Sequence, residues 1–172
     1  MTLYEMTLPQ LVKMLTNMKG WLEDAEKYAE ERGFSPDNFL GVRLYVDQFN
    51  LTRNVQSACD NAKGIAARMS GKTAPRHEDN EATFEELKAR VDKVLAYLGE
   101  FSPGDFDGWE DRVVPLPFIP GGNKGATAGG YLAEFGLPNF YFHVNMVYAS
   151  LRHSGVKLGK LRYIGGMNLL DL

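Results

Sequence analysis

The sequence has little that would place the chain outside the cell or within a membrane. Its 172 residues include one cysteine, Cys59, so no internal disulfide can form, as is typical of a reducing compartment. No apolar run approaches the roughly 18 residues that a membrane-spanning helix needs. The first residues lack the basic start and apolar run of a secretory signal. We therefore expect a cytoplasmic protein without a membrane partner.

The sequence also has no excess of basic side chains. Nineteen Lys and Arg stand against twenty-two Asp and Glu, which gives a net charge of -3. Nucleic-acid-binding domains usually carry a basic face, so we predict no nucleic-acid partner. The apolar fraction of 44% and the charged fraction of 24% are ordinary for a globular protein. The length suits one domain, and we expect it to span residues 1–172.

Four segments repeat apolar residues at steps of three and four, as helices do when they bury one stripe. The stripes run through residues 8–29, 51–69, 84–98 and 133–151. Four stripes of similar length predict an all-α fold, an antiparallel four-helix bundle. Residues 156–172 show no clear period.

Residue types at the ends of these segments predict where the helices begin and end. Thr7 and Asp47 are the predicted N-caps of the first and second helices. Gly33 and Gly71 are the predicted stops of the same two helices. Thr83, followed by Glu at the third position after it, predicts a capping box for the third helix.

A long connection, residues 102–130, separates the third and fourth helices and is rich in Pro and Gly. Within it, residues 112–119 read as an extended stretch that its prolines confine to an edge or a small hairpin. We predict the fourth helix from about Gly130 to His153, with a kink at Pro138.

The candidate site centres on the fourth helix. His143 and Asn139 are four residues apart, so their side chains share one face. Metal sites in bundles use such pairs, but one histidine and one amide make a poor zinc site, and a histidine bonded to a neighbour is the favoured interpretation. We therefore predict neither a metal nor a cofactor. The second helix offers polar partners, which complete our set of candidate ligand-binding residues: His143, Asn139, Asp47, Arg53 and Gln56.

Other polar features have plainer interpretations. Gly71-Lys72-Thr73 lacks the preceding glycine and strand of a phosphate-binding loop, and the glycine-rich 121–125 segment suits a turn. Cys59 has no local histidine to activate it, so we expect an inert buried thiol. We interpret His77, Arg53 and Asp60 as surface charges by default.

The fourth helix is apolar on more than one face, with Tyr141, Phe142, Met146 and Tyr148 beside its stripe. Such a helix is either central in the fold or packs on another subunit. We therefore predict a homodimer.

Several motifs resemble a known family, the domain-of-unknown-function family 1993. They are the runs 137–143 (LPNFYFH) and 151–156 (LRHSGV), the spaced Asp47, Phe49, Leu51 and Arg53, and the short pieces 62–64, 159–160 and 163–165. The similarity covers nearly the whole chain. One departure is Asn50, where the family pattern has proline.

The resemblance implies a fold like that of the DinB/YfiT group, which consists of four-helix bundles that often dimerise. That group typically binds a metal through one histidine of the second helix and a His-x-x-x-His pair of the fourth. The pair falls here on Asn139 and His143, and the second helix has no histidine. The resemblance therefore supports the bundle, argues against the metal and assigns no activity.

Three functional hypotheses remain open at this point. The first is a small-molecule site around His143 and Asn139 that lacks the full metal triad. The second is a non-catalytic homodimeric interaction module. The third is a metal-dependent transferase of the DinB type.

Overall fold

The computed structural model describes residues 2–167 and 169, and the fold is mostly helical. Four long helices account for most of it: α1 (Leu3–Arg32), α2 (Leu51–Ser70), α3 (Phe84–Leu98) and α5 (Leu137–His153). A short helix, α4 (Ala128–Tyr131), and a two-stranded sheet lie in the connection between α3 and α5, and a second short helix, α6 (Lys160–Ile164), lies in the tail after α5.

The predicted helix stops and one predicted cap are confirmed. Gly33 and Gly71 end α1 and α2 in the left-handed conformation, with φ of 73° and 72°, which glycine adopts without steric cost. Thr83 and Glu86 form the capping box of α3 by accepting from each other's backbone N–H groups.

The other two predicted caps are wrong. Helix α1 begins earlier, where Thr2 and Glu5 form a capping box, and Thr7 is buried inside the helix. Helix α2 is capped by Asn50, whose side-chain oxygen accepts from the N–H of Arg53 at 2.9 Å. Asp47 lies three residues upstream in an exposed loop. Asn and Asp cap equally well, so position relative to the first helical turn decides between them.

The connection between α3 and α5 contains the predicted extended stretch. Strand β1 (Val113–Pro115) pairs antiparallel with β2 (Gly125–Thr127), and Val114 is buried opposite Ala126. Thr127 then caps α4 by accepting from the N–H of Gly130 at 3.1 Å. The hairpin thus delivers the chain directly to the helix that leads into α5.

A π turn over Leu132–Gly136 joins α4 to α5 just before Pro138, and the predicted kink at Pro138 itself stays a prediction. Leu137 donates to the carbonyl of Leu132, five residues back, where an α-helix would bond four residues back. Pro138 follows at once and has no N–H to donate, so it tolerates this wider turn.

Side-chain contacts follow α2 and the α4–α5 stretch in opposite directions, so α2 and α5 run antiparallel. From the start of α2 to its end, the pairs are Asn54 with His143, Asn61 with Asn139, and Arg68 with Tyr131. Ala58 and Ala62 are fully buried on α2, and their small side chains allow a neighbouring helix to approach closely. We call this interface the α2–α5 seam.

The tail after α5 packs on α1, although its sequence shows no period. The indole of Trp21 is fully buried, donates to the carbonyl of Arg162 at 3.0 Å and stacks on Tyr163. The remainder of the tail beyond residue 167, other than 169, lies outside the described residues. In the described part of the chain, no helix combines the length and the apolarity that crossing a bilayer requires.

The caps of α2 give the first prediction. Replacing Asn50 by Ala should lower the free energy of unfolding by about 1 kcal/mol, because the N–H of Arg53 loses its acceptor. Asp47→Ala is the matched control, and we expect a change within about 0.5 kcal/mol. Urea denaturation of both variants measures the difference. A larger loss for Asp47→Ala than for Asn50→Ala would contradict the cap assignment.

Candidate functional site

His143 lies on the buried face of α5, at the α2–α5 seam. It is 8% exposed, and its ring stacks against Phe49 with centroids 6.1 Å apart and planes 12° apart. The ring of Phe142 meets that of His143 edge-on, with centroids 5.2 Å apart. Both phenylalanines are about half exposed, at 52% and 53%. His143 is therefore buried directly beneath two aromatic rings that face solvent.

A hydrogen bond across the seam fixes the tautomer of His143. Its Nδ1 lies 3.0 Å from Oδ1 of Asn54. The amide nitrogen of Asn54 donates to the carbonyls of Phe49 and Asn50 at 2.9 and 3.0 Å, so its oxygen must be the atom that faces the ring. Nδ1 therefore carries the proton, and Nε2 keeps its lone pair.

His143 is held in its neutral form. Burial lowers its pKa below the ordinary value of 6.5, and the positive charge of Arg53 lowers it further. A neutral imidazole with a free Nε2 can accept a hydrogen bond, and at neutral pH it carries no charge.

Asn139 is bound to a different residue of α2. Its amide nitrogen donates to Oδ1 of Asn61 at 2.7 Å, and Asn61 in turn donates to the carbonyl of Ser57 at 2.7 Å. The two seam residues predicted from the sequence thus lie on one face of α5, but each is paired separately across the seam.

Arg53 and Gln56 point instead to the loop between α2 and α3, residues 71–83, which we call the α2–α3 loop. Arg53 pairs with Asp79 and also donates to Gln56 at 3.4 Å. Gln56 donates to Glu81 at 2.8 Å. These contacts tie the acidic end of the loop to the first turns of α2.

Arg90 of α3 is the centre of this charge cluster, and its side chain is 1% exposed. It pairs with Asp60 at 2.6 Å, Glu81 at 2.9 Å and Asp79 at 3.3 Å. Although burial opposes its charge, the ion pairs with Asp60 and Glu81 raise the pKa of Arg90. Asp60 also pairs with the buried Lys63 at 2.8 Å. Asp60 and Arg53, interpreted from the sequence as plain surface charges, thus belong to a partly buried network.

The remaining predicted residues have structural surroundings. Asp47 is exposed in the loop before α2 and makes no hydrogen bond or ion pair within the described part of the chain. His77 is half-buried, not a free surface residue, with its Nδ1 3.2 Å from Nζ of Lys63. Burial raises the pKa of the Cys59 thiol to about 12, which agrees with an inert thiol.

The donor set at the seam does not fit the metal site that the DinB/YfiT group implies. His143 uses Nδ1 for Asn54, and Asn139, at the position of the group's other histidine, is an amide already paired with Asn61. Neutral amides are poor ligands for zinc, which prefers thiolate, imidazole and carboxylate. Within residues 2–167 and 169, no three His, Cys, Asp or Glu side chains are arranged to hold a metal ion.

An open cleft of about 230 Å³ adjoins the seam beside Asn139. Two aromatic rings form its apolar walls, and its polar lining comes mainly from α2; the lining residues are Asp60, Asn61, Arg68, Phe118, Phe135 and Asn139. We call it the Arg68 cleft. His143 lies one helical turn farther along α5 and is not part of its lining.

Arg68 is positioned by aromatic rings. Its guanidinium donates to the hydroxyl of Tyr131 at 3.2 Å and lies 5.4 Å from that ring's centroid. It lies 5.9 Å from the centroid of Phe118. Gly64, one turn earlier on α2, makes room for it, since a Cβ there would lie 2.4 Å from Nη1 of Arg68. Such stacking orients a guanidinium while leaving other N–H groups free.

Sequence reasoning missed Arg68, Asn61 and Asn54. The only local signal was the Gly64-to-Arg68 spacing of four, which places a side chain over a bare backbone. Their partners on α4 and α5 are at least 60 residues away in the chain, which no periodic pattern reveals.

Comparisons with known proteins agree with this architecture. The family described as Domain of unknown function (DUF1993) matches residues 3–164. A crystal structure of a DinB family member protein from Shewanella denitrificans is 41% identical, with a TM-score of 0.93, and the match covers 99% of this chain and 96% of that one. No curated protein matches the chain.

The environment of His143 gives the second prediction. Replacing Arg53 by Gln should raise the pKa of His143 toward 6.5, because one of the two causes that lower it is removed. Since the folded state binds this proton less tightly than the unfolded chain, its contribution to stability declines as pH falls from 6.5 to the lower folded pKa. NMR titration of the imidazole resonances measures the pKa.

Arg32→Gln, at the far end of α1, is the matched control and should leave the titration of His143 unchanged. An identical pKa in wild type and Arg53→Gln would show that Arg53 does not act on His143.

Proposed function

The chain belongs to the family described as Domain of unknown function (DUF1993), and we propose that it binds a small anionic molecule without a metal. In this proposal the four long helices form an antiparallel bundle of the DinB/YfiT type, folded as one cytoplasmic domain. Antiparallel pairing of α2 with α5, and of α1 with α3 through Lys19 with Asp92 and Glu26 with Lys88, supports a bundle built from two antiparallel helix pairs. The single cysteine supports the cytoplasmic location.

The observation that carries the proposal is the guanidinium of Arg68 in its cleft. Arg68 is half-buried, and within the described part of the chain no carboxylate pairs with it. A guanidinium forms bidentate hydrogen bonds with carboxylate or phosphate. Tyr131 and Phe118 hold this one in place, so little side-chain entropy is lost on binding.

The cleft favours an anion even though Asp60 lines it. The carboxylate of Asp60 is paired with both Arg90 and Lys63, in a cluster whose three cations (with Arg53) match its three carboxylates (with Asp79 and Glu81), so its negative charge is balanced there. Asn61 and Asn139 are neutral. The charge left without a counterion at the cleft is therefore the positive charge of Arg68.

The walls and the size of the cleft indicate the rest of the ligand. Phe118 and Phe135 are tilted against each other with centroids 5.2 Å apart and offer an apolar surface beside Arg68. The volume of about 230 Å³ is below the range of roughly 300–1,000 Å³ usual for drug-sized ligands. We infer a small aromatic or aliphatic molecule that carries one carboxylate or phosphate.

We propose binding and assign no reaction. Arg68 and the two asparagines do not transfer protons at neutral pH, and the carboxylate of Asp60 is engaged in ion pairs with Lys63 and Arg90. His143, with its free Nε2, could accept a hydrogen bond from a ligand that extended along the seam. The proposed site therefore adjoins the predicted site near His143, but its centre lies at Arg68, at least one helical turn away.

A titration with benzoate tests the anion site and gives the third prediction. Amide resonances around Arg68, Phe135 and Asn139 should shift saturably in ¹H–¹⁵N spectra, and the shifts should persist in EDTA. Arg68→Gln should weaken binding by a factor of about ten or more, because a charge-assisted hydrogen-bond pair is lost. Arg152→Gln, an exposed arginine on α5, is the matched control.

Gly64→Ala provides a second variant that keeps the arginine. The added Cβ would displace the guanidinium, while alanine favours the helix by up to about 1 kcal/mol, so binding should weaken in a fully folded protein. Unchanged affinity in both variants, or no shift with either benzoate or phenyl phosphate, would refute an anion site at Arg68.

A homodimeric interaction module is the second candidate, and one observation favours it. Phe49 and Phe142, whose rings both contact that of His143, are half exposed, and Tyr45 and Val46 in the loop before α2 are more exposed still. Exposed apolar groups that cluster in this way often mark protein interfaces. A second copy of the chain could cover them, as the apolar excess of α5 suggests.

Sedimentation equilibrium tests this candidate and gives the fourth prediction. If the chain dimerises through this face, Phe142→Ser should raise the dimer dissociation constant by about tenfold or more, because a buried interface aromatic is lost. Leu161→Ser, at another strongly exposed apolar residue, is the control. A strict monomer at high concentration would exclude the interaction module while leaving the anion site untouched.

A further inference from the structure

A second cleft, of about 540 Å³, opens between the first turn of α1 and the segment after α3. It shares no lining residue with the Arg68 cleft. Its walls are aromatic and its rim is acidic; the residues that matter here are Tyr4, Phe106, Trp109, Asp107 and Glu110. The volume lies within the range usual for small-molecule sites.

The aromatic walls are fixed by three separate elements. Phe106 ends a short 3-10 turn, Pro103–Phe106, and is buried edge-on against Tyr4 of α1 with centroids 5.5 Å apart. Trp109 follows Gly108, whose φ of 69° turns the chain sharply. The indole of Trp109 then packs over Gly129 of α4, where a Cβ would lie 3.4 Å from its Cζ3 atom. The walls are therefore preorganised and do not depend on a ligand for their positions.

The charged side chains described at the rim are carboxylates. Asp107 and Glu110 are exposed, and neither has an ion-pair partner within the described part of the chain. Asp105 differs, because Lys72 at 2.6 Å and the backbone of Ser102 lower its pKa to about 2 and its charge is already matched. The described lining of the cleft includes no Lys, Arg or His.

We propose that this cleft binds an organic cation, a quaternary or protonated amine. Aromatic faces attract such a head group through their electron-rich π surface, of which Trp has the most effective. Trp109 and Tyr4 are the partly exposed rings here, and the buried Phe106 packs against Tyr4. Asp107 and Glu110 supply the counter-charge at the rim, where they also favour the approach of cations over anions. A neutral molecule of the same shape would gain only the apolar contact.

The two tryptophans of the chain make a direct test possible. The indole N–H resonance of Trp109, assigned with a Trp109→Phe variant, should shift saturably when choline is added to the full chain. The indole N–H of Trp21 is buried and bonded to the carbonyl of Arg162, so it should not move and serves as the internal reference. The neutral isostere 3,3-dimethylbutan-1-ol should produce a much smaller shift.

Variants of the rim separate a built site from general surface charge. The double variant Asp107→Asn, Glu110→Gln should weaken choline binding by a factor of roughly three to ten, as expected for two exposed ion pairs. Asp111→Asn, an exposed carboxylate that does not line the cleft, should have no effect. All three substituted residues are exposed. A Trp21 indole resonance at its wild-type position shows that each variant is folded.

Three results would each overturn the proposal. They are an immobile Trp109 resonance at tens of millimolar choline, equal shifts from choline and its neutral isostere, and equal weakening by Asp111→Asn and the double variant. None of these results depends on the Arg68 cleft, so the anion site and the cation site stand or fall separately.

Discussion

The burial of α2 among the other helices is the constraint on which the rest of the structure depends. Most of its residues are buried, and the small side chains of Ala58, Ala62 and Ala66 allow neighbouring helices to approach it closely. A helix buried in this way has no solvent-facing side where all its polar residues can remain hydrated. Asn54, Gln56 and Lys63 are each buried, so each must find a partner on another element.

Those partners account for the polar architecture of the molecule. On one side, the amides of α2 pair with α5, and the last pair of the α2–α5 seam leaves Arg68 in an open cleft. On the other side, Gln56 and Lys63 lead into the cluster around Arg90, which holds the α2–α3 loop against both helices. The same cluster neutralises Asp60 and so determines the charge of the Arg68 cleft. The burial of α2 therefore also determines the charge of the Arg68 cleft, more than one helical turn away.

The parts of the fold that could be predicted are those encoded by neighbours in sequence. Apolar stripes located the four long helices, and Gly33, Gly71 and the Thr83 capping box marked ends that local geometry alone decides. Asp47 was a wrong cap because Asn50, three residues later, competes equally well for the role. His143 was correctly singled out as a histidine bonded to a neighbour, but the neighbour, Asn54, lies 89 residues away. The Arg68 cleft was missed for the same reason, because its lining residues come from distant parts of the chain and produce no periodic pattern in the sequence.

The π turn between α4 and α5 has a consequence for the rotational phase of this helical stretch. A π turn accommodates one residue more than an α-helical turn. The residues before it are therefore rotated by about 100° from the positions that an unbroken α-helix of the same sequence would give them. Tyr131 and His143 can therefore both face α2, although an unbroken α-helix of this length would place them on different sides. Tightening Leu132–Gly136 into regular α-helical turns with no residue removed would rotate Tyr131 away from Arg68 by about 100°, while the seam at His143 kept its register. The π turn thus places Tyr131 and His143 on the same side of the helical stretch, the side that packs on α2.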